Sequence, residues 1–362
     1  MTARDRYPQL EVDLGKLKEN LTALRERCQD SFVGITGVVK GAGAWEDVVR
    51  VFDEADLSYL ASSRVDQLQK MRSYGVKTPL MLIRIPMLTE LSDVVSLADA
   101  SLQSDMALLS ATEKEAERQN KKHGVLLMID LGDLREGFWD AEELVDAAVA
   151  VERDMPHLRL LGVGVNLSCY GSILPDKRNM QGLVSLAFDV ERAIGRKIEI
   201  VSGGSSTSVY MTLNGTMPYR VNNLRLGEIA LLGRIYGCNP DFTHKDVFTL
   251  RAEVVECRDK PSFPVGQLTV DAFGRTGHYE DRGIRRRALV AIGRLDYGEC
   301  CDIVPRMAGI EVLGASSDHT ILDVEAVKDQ IHTGDILEFD VNYASLSNLC
   351  NASGMNYVSV SY

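Results

Sequence analysis

The chain has no apolar run approaching the 18 residues expected of a membrane-spanning helix, although 45% of its 362 residues are hydrophobic. Its first residues, MTARDRYPQLEVD, hold no apolar segment of the secretory type, so neither a membrane nor an export route is expected. Excess positive charge is also missing. A net charge of −12 argues against nucleic acid or an acidic membrane surface as a partner. No two cysteines form a CxxC pair, and no His/Cys cluster has metal-ligand spacing. The seven cysteines are Cys28, Cys169, Cys238, Cys257, Cys300, Cys301 and Cys350. Their odd number, with Cys300 and Cys301 adjacent and poorly placed to bridge each other, speaks against a disulfide framework and for a reducing, cytoplasmic location. Internal repeats and low-complexity linkers are absent too. What remains is material for a large core plus a smaller companion domain.

Apolar runs of strand length alternate with segments of helical period. The pattern predicts strands at 34–39 (GITGVV), 57–61 (LSYLA), 79–83 (PLMLI), 100–103 (ASLQ), 125–130 (VLLMID), 161–166 (LGVGVN), 198–202 (IEIVS) and 222–226 (NNLRL). Amphipathic stretches at 13–28, 64–74, 111–123, 140–153 and 179–194 lie between them. In the first, Leu14, Leu17, Leu21 and Leu24 recur at three- and four-residue steps, and Asp13 is placed to cap it. Eight buried strands with associated helices predict a (β/α)8 barrel, with an open doubly wound sheet as the alternative, because periodicity does not show closure. Beyond about Gly237, segments such as VFTLRAEVVECR, RRRALVAIGR, GIEVLGASSDHTILDVEAV and DILEFDVNYASL alternate apolar and polar residues, as an antiparallel β domain does. The expected division is 8–236 for the barrel and 237–362 for the C-terminal β domain, which residues 1–7 could join.

A barrel carries its site where the strands end. Lys40 follows the first strand and Arg84 the third; Asp130 ends the fifth, with Arg135 in the LGDLREG that follows. Asn166 ends the sixth, the seventh runs into SGGSSTS (202–208), and the eighth carries Arg225 and then Gly227. Read alone, Lys40 would cap a strand in water, SGGSSTS would be a plain loop and Arg225 a surface ion pair. Together they form an anion-binding set around one amine. Small residues, hydroxyls and backbone N–H groups before a helical stretch at 205–213 suit a phosphate. A desolvated amine beside cations loses its proton readily and can form a Schiff base. That combination points to pyridoxal 5′-phosphate.

These residues resemble the alanine racemase-like, fold type III pyridoxal-phosphate enzymes, and within them the ornithine racemase branch. GVVKGAG is similar to the cofactor-lysine strand, IDLGDLREGFW to an Asp-x-Gly-x-x-Arg segment, GGSSTS to the phosphate loop and LRLGEIALLG to an Arg-x-Gly strand end. GASSDHTILDV resembles the second-domain stretch that reaches the site across a dimer interface. The resemblance implies an amino-acid racemase, a homodimer, acting on ornithine or another basic amino acid. It implies that Lys40 holds the cofactor and moves a proton, and that Arg225 faces the pyridine nitrogen. Ser205, Ser206, Gly227 and Glu228 would hold the phosphate. Arg135 would lie near the cofactor's phenolic oxygen and the substrate carboxylate, Asn166 beside the ring, and Asp318, with Ser317, near the substrate.

Departures accompany the resemblance. Ala44 stands where the family has a tyrosine soon after the lysine, and GRLDYG (293–298) puts Arg294 in place of the second catalytic tyrosine. Tyr297, Cys300, Cys301 and His319 are candidates for the missing acid/base, and Tyr357 for a displaced phosphate-binding tyrosine. Asp133, Glu228 and Asp318 are carboxylates available to a basic substrate side chain. A decarboxylase or aldolase of the same fold, and a non-catalytic carrier of the cofactor, are the alternative readings.

Overall fold

A computed structural model describes residues 6–361. The first strand, β1 (Gln9–Asp13), belongs to a second sheet considered below. The next eight are β2 (Gly34–Val38), β3 (Tyr59–Ser62), β4 (Leu80–Leu82), β5 (Ala100–Gln103), β6 (His123–Ile129), β7 (Leu158–Val165), β8 (Ile200–Ser205) and β9 (Asn223–Leu226). They pair in parallel in chain order, and β9 returns to β2 through Gly34↔Asn223 and Thr36↔Arg225. The sheet is therefore a closed barrel, and the open-sheet alternative falls. Closure leaves no strand edge to cover.

Alternation along a strand sorts side chains between two cores. Leu126 and Met128 of β6 join Val38, Met81 and Leu102 in one cluster, drawn from successive strands. Their neighbours Val125, Leu127 and Ile129 join Leu144, Leu183 and Ala187 in a second, which the helices supply. The helices of this part of the chain are α1 (Leu14–Asp30), α2 (Glu46–Asp53), α3 (Val65–Ser73), α4 (Leu91–Leu97), α5 (Met106–Arg118), α6 (Ala141–Asp154), α7 (Lys177–Ile194) and the short α8 (Val209–Leu213) and α9 (Glu228–Leu232), of which α4 to α8 supply that second cluster. In α1, Leu17, Leu21 and Leu24 are buried as their spacing requires, each contributing about 2 kcal/mol of transfer free energy. Asp176 caps α7 by accepting from the Asn179 N–H, and Gly195 ends it with φ 75°.

Three helical expectations need correction. Helices α2 and α4, of eight and seven residues, were not foreseen, since two turns carry too few apolar repeats to declare a period. Helix α5 starts at Met106 and not near 111, because the Asp105 carboxylate accepts from the Leu108 N–H at 2.8 Å and fixes the start. The stretch 205–213 divides into a 3₁₀ turn, Ser206–Ser208, and the five-residue α8.

The chain divides into two compact units, one of Lys16–Lys245 and one joining the residues up to Gly15 with those from Asp246 onward. The division differs from 8–236 and 237–362 because β1 is not a barrel strand. It pairs with β10 (Phe248–Pro261), Leu10 opposite Leu250, and with β16 (Asn356–Val360), Leu10 opposite Tyr357. Between those two lie β11 (Ile284–Val290), β12 (Ile303–Pro305), β13 (Glu311–Ala315), β14 (Thr320–Asp323) and β15 (Ile336–Val341), running β12-β15-β10-β11-β14-β13 across the sheet. The run DILEFDVNYASL is strand only to Val341. Asn342 then accepts from the Ser345 N–H at 2.9 Å and caps a helix, Tyr343–Leu349. Among the described residues no helix is long and apolar enough to cross a membrane.

One buried titratable group ties barrel stability to pH. His123, 1% exposed at the start of β6, shares a 2.9 Å hydrogen bond with the Ser101 hydroxyl. Burial pushes its imidazole from 6.5 down to about 4. The unfolded chain therefore binds the proton first, so stability held by neutral His123 is complete above about pH 6.5 and declines as the pH falls towards 4. Urea midpoints followed from neutral to acid pH should fall more steeply for the wild type than for His123→Gln. Parallel slopes would refute this.

Candidate active site

Strand β2 ends at Val38, and Lys40 opens a 3₁₀ turn, Lys40–Ala42, that Gly43 closes at φ 60°. Lys40 is partly buried, and burial pushes its amine below the ordinary lysine range. Cys169 and Glu136 oppose that shift, while the cations Arg135 and Arg225 reinforce it. Ala44, where a tyrosine was the family expectation, is fully buried at φ 54°.

Barrel closure sets Arg225 beside this turn. The guanidinium is 4% exposed, yet none of its hydrogen bonds goes to a carboxylate. Nη1 donates to the Ser202 hydroxyl at 2.5 Å, and Nη2 donates to the Val165 carbonyl at 2.9 Å and to Asn166 Oδ1 at 3.4 Å. Ser202 in turn donates to Asn223 Oδ1 at 2.8 Å, whose Nδ2 donates to Thr36 at 3.1 Å. Burial lowers Arg225 from 12.5 to about 10, so it stays charged at neutral pH. Asn166 presents one end of its amide to Arg225; its buried Nδ2 has no partner among the described residues.

The ends of β8 and β9 are tied together by Ser206, whose hydroxyl oxygen accepts the N–H groups of Gly227 and Ile229, both at 3.3 Å. Ser205 shares a 3.0 Å hydrogen bond with Thr207. Gly204 sits at φ 110°, and a Cβ there would stand 2.7 Å from the Ser208 hydroxyl, itself buried without a partner among the described residues. Gly227 lies so close to β2 that a Cβ would come within 2.7 Å of the Val38 carbonyl. Glu228, next along, has its carboxyl pushed up by burial.

The loop after β6 is folded on its acids. Asp130 accepts the N–H groups of Gly132 and Leu134, at 2.8 and 3.2 Å. Asp133, 1% exposed, accepts those of Cys169 and Tyr170, so this loop holds the one after β7. Arg135 is ion-paired with its neighbour Glu136.

The barrel end thus gathers Lys40, Arg135, Asn166, Ser205, Ser206, Arg225, Gly227 and Glu228. Arg84 is not free to join them as an anion-binding residue. It pairs with Glu90 at 2.6 Å and donates to the Ser63 carbonyl at 2.9 Å. Asp318 belongs to the other unit, on the exposed turn between β13 and β14, where it accepts from the Ser317 hydroxyl at 2.6 Å. In that unit Arg294 donates to the Ala315 carbonyl, and fully buried Tyr297 shares a 2.7 Å hydrogen bond with Thr320. Burial pushes the Tyr297 phenol up to about 12, which suits a structural hydroxyl better than a proton carrier. His319 and Cys301 are exposed, Cys300 partly so. Tyr357 donates to the Leu349 carbonyl. Glu136, Cys169 and the role of Ser202 had no distinguishing signal in the sequence, although Glu136 and Ser202 lie inside the strand-end stretches LGDLREG and SGGSSTS.

Residues 12–235 match the family described as alanine racemase, N-terminal domain. The chain is 40% identical over 342 residues to the ornithine racemase of Acetoanaerobium sticklandii, covering 94% of this chain and 96% of that one. It is 34% identical over 345 residues to the lysine racemase of Thermotoga maritima, covering 94% and 95%. Its fold superposes on alanine racemase from a D-cycloserine-producing Streptomyces lavendulae with TM-score 0.74 at 18% identity, over 99% of this chain and 98% of that one. At that identity the likeness concerns the fold.

The Ser202 relay is directly testable. Ser202→Ala removes the acceptor of a buried cation and should cost about 1–3 kcal/mol in urea unfolding. An unchanged midpoint would mean that the hydroxyl does not hold the guanidinium.

Proposed function

Because the chain belongs to the alanine racemase N-terminal domain family, we propose that it is a pyridoxal-phosphate-dependent racemase of basic amino acids, with ornithine the first substrate to test. One observation carries the reading: a lysine at a barrel strand end, its amine pushed towards neutrality by burial, feels the charge of a buried arginine whose hydrogen bonds among the described residues all go to neutral acceptors. The full-length likeness to ornithine and lysine racemases supports the substrate class.

The residues fit the cofactor. The Asn166 Nδ2, without a partner among the described residues, offers a buried donor, and glycines at 204 and 227 let the β8 and β9 ends pack closely against Ser208 and Val38. In this reading Lys40 would hold the cofactor through its amine, and Arg225 would hold the cofactor's ring nitrogen with a cation that does not readily give up its proton. Ser205, Ser206 and the backbone at Gly227 and Glu228 receive the phosphate, with the Ser206 hydrogen still available to donate. Arg135 would take the substrate carboxylate and Asn166 would border the ring, while for Asp318 the family resemblance implies a role near the substrate supplied across a dimer. Pyridoxal phosphate, when bound, supplies the electron sink that acidifies the substrate Cα–H. Lys40, once neutral, takes that proton at Nζ and can return it. Unpaired cysteines and the absence of a spanning helix among the described residues agree with a cytoplasmic enzyme.

The test uses single enantiomers of ornithine, lysine and alanine in deuterium oxide with the cofactor-loaded protein. Inversion with α-deuterium uptake, faster for ornithine and lysine, is expected. Loss of carbon dioxide instead would make the protein a decarboxylase, and silence across the panel a carrier. Borohydride should fix the cofactor on Lys40 in the wild type and leave Lys40→Ala unlabelled. Label elsewhere in the chain would overturn the assignment. We further propose a homodimer as the working form, as family resemblance implies. Full activity in a sample that sediments as a single chain would sink that.

A further inference from the structure

A basic amino acid carries a cation at the end of its side chain, and a site that prefers it must offer that cation an anion. The need is sharper here because the barrel end already holds Arg135 and Arg225, which repel a second positive charge. The candidate carboxylates are Asp130, Asp133, Glu136, Glu228 and Asp318. All but one are engaged or elsewhere. Asp130 accepts the N–H groups of Gly132 and Leu134 within its own loop, and Glu136 is ion-paired with Arg135. Burial pushes the Glu228 carboxyl towards its neutral form, and Asp318 is exposed in the other unit, bonded to Ser317.

Asp133 differs from these. It is 1% exposed, and its two oxygens are unequally served. Oδ2 accepts the N–H groups of Cys169 at 3.2 Å and Tyr170 at 3.0 Å, whereas Oδ1 is buried and accepts nothing among the described residues. Arg135, two residues on, does not relieve it, because its guanidinium donates to Glu136. A carboxylate oxygen enclosed without a donor is costly, and a cationic ligand is the partner that offsets the cost.

The carboxylate is fixed in place from both sides. Phe138 closes its loop onto the end of β6, donating to the Met128 carbonyl at 2.8 Å and accepting from the Asp130 N–H at 2.9 Å. Residues 131–137 are thereby held as an excursion from that strand end. The Gly171 N–H donates to the Asp133 carbonyl at 3.0 Å, and a Cβ on Gly171 would stand 2.7 Å from that oxygen. The loop after β7 is thus pressed against Asp133. Strand β7 itself ends beside Arg225, whose Nη2 donates to the Val165 carbonyl at 2.9 Å. Asp133 therefore lies between the loops that follow β6 and β7, on the same short excursion as Arg135. It sits under a rim and not in the packed core: Leu134 beside it is 63% exposed, and Tyr170, whose N–H it receives, is 72% exposed.

We propose that Asp133 is the specificity-determining residue of this site, its Oδ1 receiving the distal ammonium group of a basic amino acid. Arg135 and Asp133 then form a pair of opposite charges on one loop, matched to the α-carboxylate and the side-chain ammonium of the same molecule. The two N–H groups on Oδ2 hold the carboxylate, and the oxygen left over selects the ligand. A substrate of equal length without the distal amine leaves that oxygen bare, which is how a buried polar group rejects an analogue. The contact moves no proton and makes no covalent bond. The inference rests on the racemase reading and names the group that sets its substrate class.

The experiment compares wild type with Asp133→Asn, which keeps an oxygen for the Cys169 and Tyr170 N–H groups and removes the charge. Both are loaded with pyridoxal phosphate and checked for a folded circular dichroism spectrum and a borohydride label on Lys40. Racemisation is measured for L-ornithine and for L-norvaline, the same skeleton without the distal amine. The wild type should prefer ornithine, and that preference in kcat/KM should fall at least about tenfold in the variant, chiefly through KM. A smaller fall overturns the proposal, since a purely structural role weakens both substrates alike. So does a wild type that handles the two alike. Crystallography of the borohydride-reduced wild type with L-ornithine reads the same contact without turnover and without a variant. The distal nitrogen should lie about 3 Å from Asp133 Oδ1. A distal nitrogen on another carboxylate or in solvent overturns the assignment. A wild type inert towards every amino acid offered is a different result, since it refutes the racemase reading itself.

Discussion

A guanidinium buried without a carboxylate is the constraint around which the barrel end is organised. Removing a cation from water is costly unless hydrogen bonds replace those it loses. Arg225 finds them in the Ser202 hydroxyl, the Val165 carbonyl and the Asn166 amide, contributed by β8, β7 and the loop that follows β7. Because each hydrogen-bond acceptor is neutral, the charge is opposed only without direct bonding, by Glu136 among others, and acts on what lies nearby. Lys40 feels it, along with Arg135 and the burial that dominates both, and its amine is pushed below the ordinary range. A carboxylate partner would have made Arg225 easier to bury and the site less useful, since the cation would no longer favour a neutral amine.

Closure of the barrel turns that constraint into geometry. Residues 40 and 225 are 185 positions apart, yet β9 pairs with β2 in the register Thr36↔Arg225, which carries the Lys40 turn to the Gly227 strand end. The Gly227 backbone then packs so near Val38 that only glycine fits, and Ser206 receives its N–H from the neighbouring strand end. The loops after β6 and β7 are locked in the same way through Asp133. Polar contacts between successive strand ends, each modest alone, restrain the site collectively.

The residues legible from sequence were those whose chemistry is odd for their surroundings. A lysine at the end of an apolar strand, a Ser/Gly cluster after the seventh strand and an arginine before a glycine all lie at the barrel end. Long amphipathic helices such as α1, α6 and α7 declare themselves because several turns repeat one apolar face. Two-turn helices do not. Arg84 met the same criterion as Lys40, standing just past a strand, and differs only in having Glu90 within reach. That distinction needs coordinates, because the choice between an ion pair and an anion site depends on what lies a few ångströms away. The N-terminal strand β1 was not read at all, since five residues ahead of a helix carry too little pattern, and β10 and β16 take both of its edges.

By itself the sequence determined the alternation of strand and helix, the change to an antiparallel second part, and the set of groups offered at strand ends. All of these follow from period, turn chemistry and residue type, which are local. Only the tertiary structure decided that the sheet closes, that Arg225 is held by neutral acceptors and that Asn166 keeps a donor without a partner among the described residues. It alone brought the charges of Arg135 and Arg225 to bear on Lys40. Those facts concern distances between residues far apart in the chain, and burial and electrostatic fields are properties of such distances.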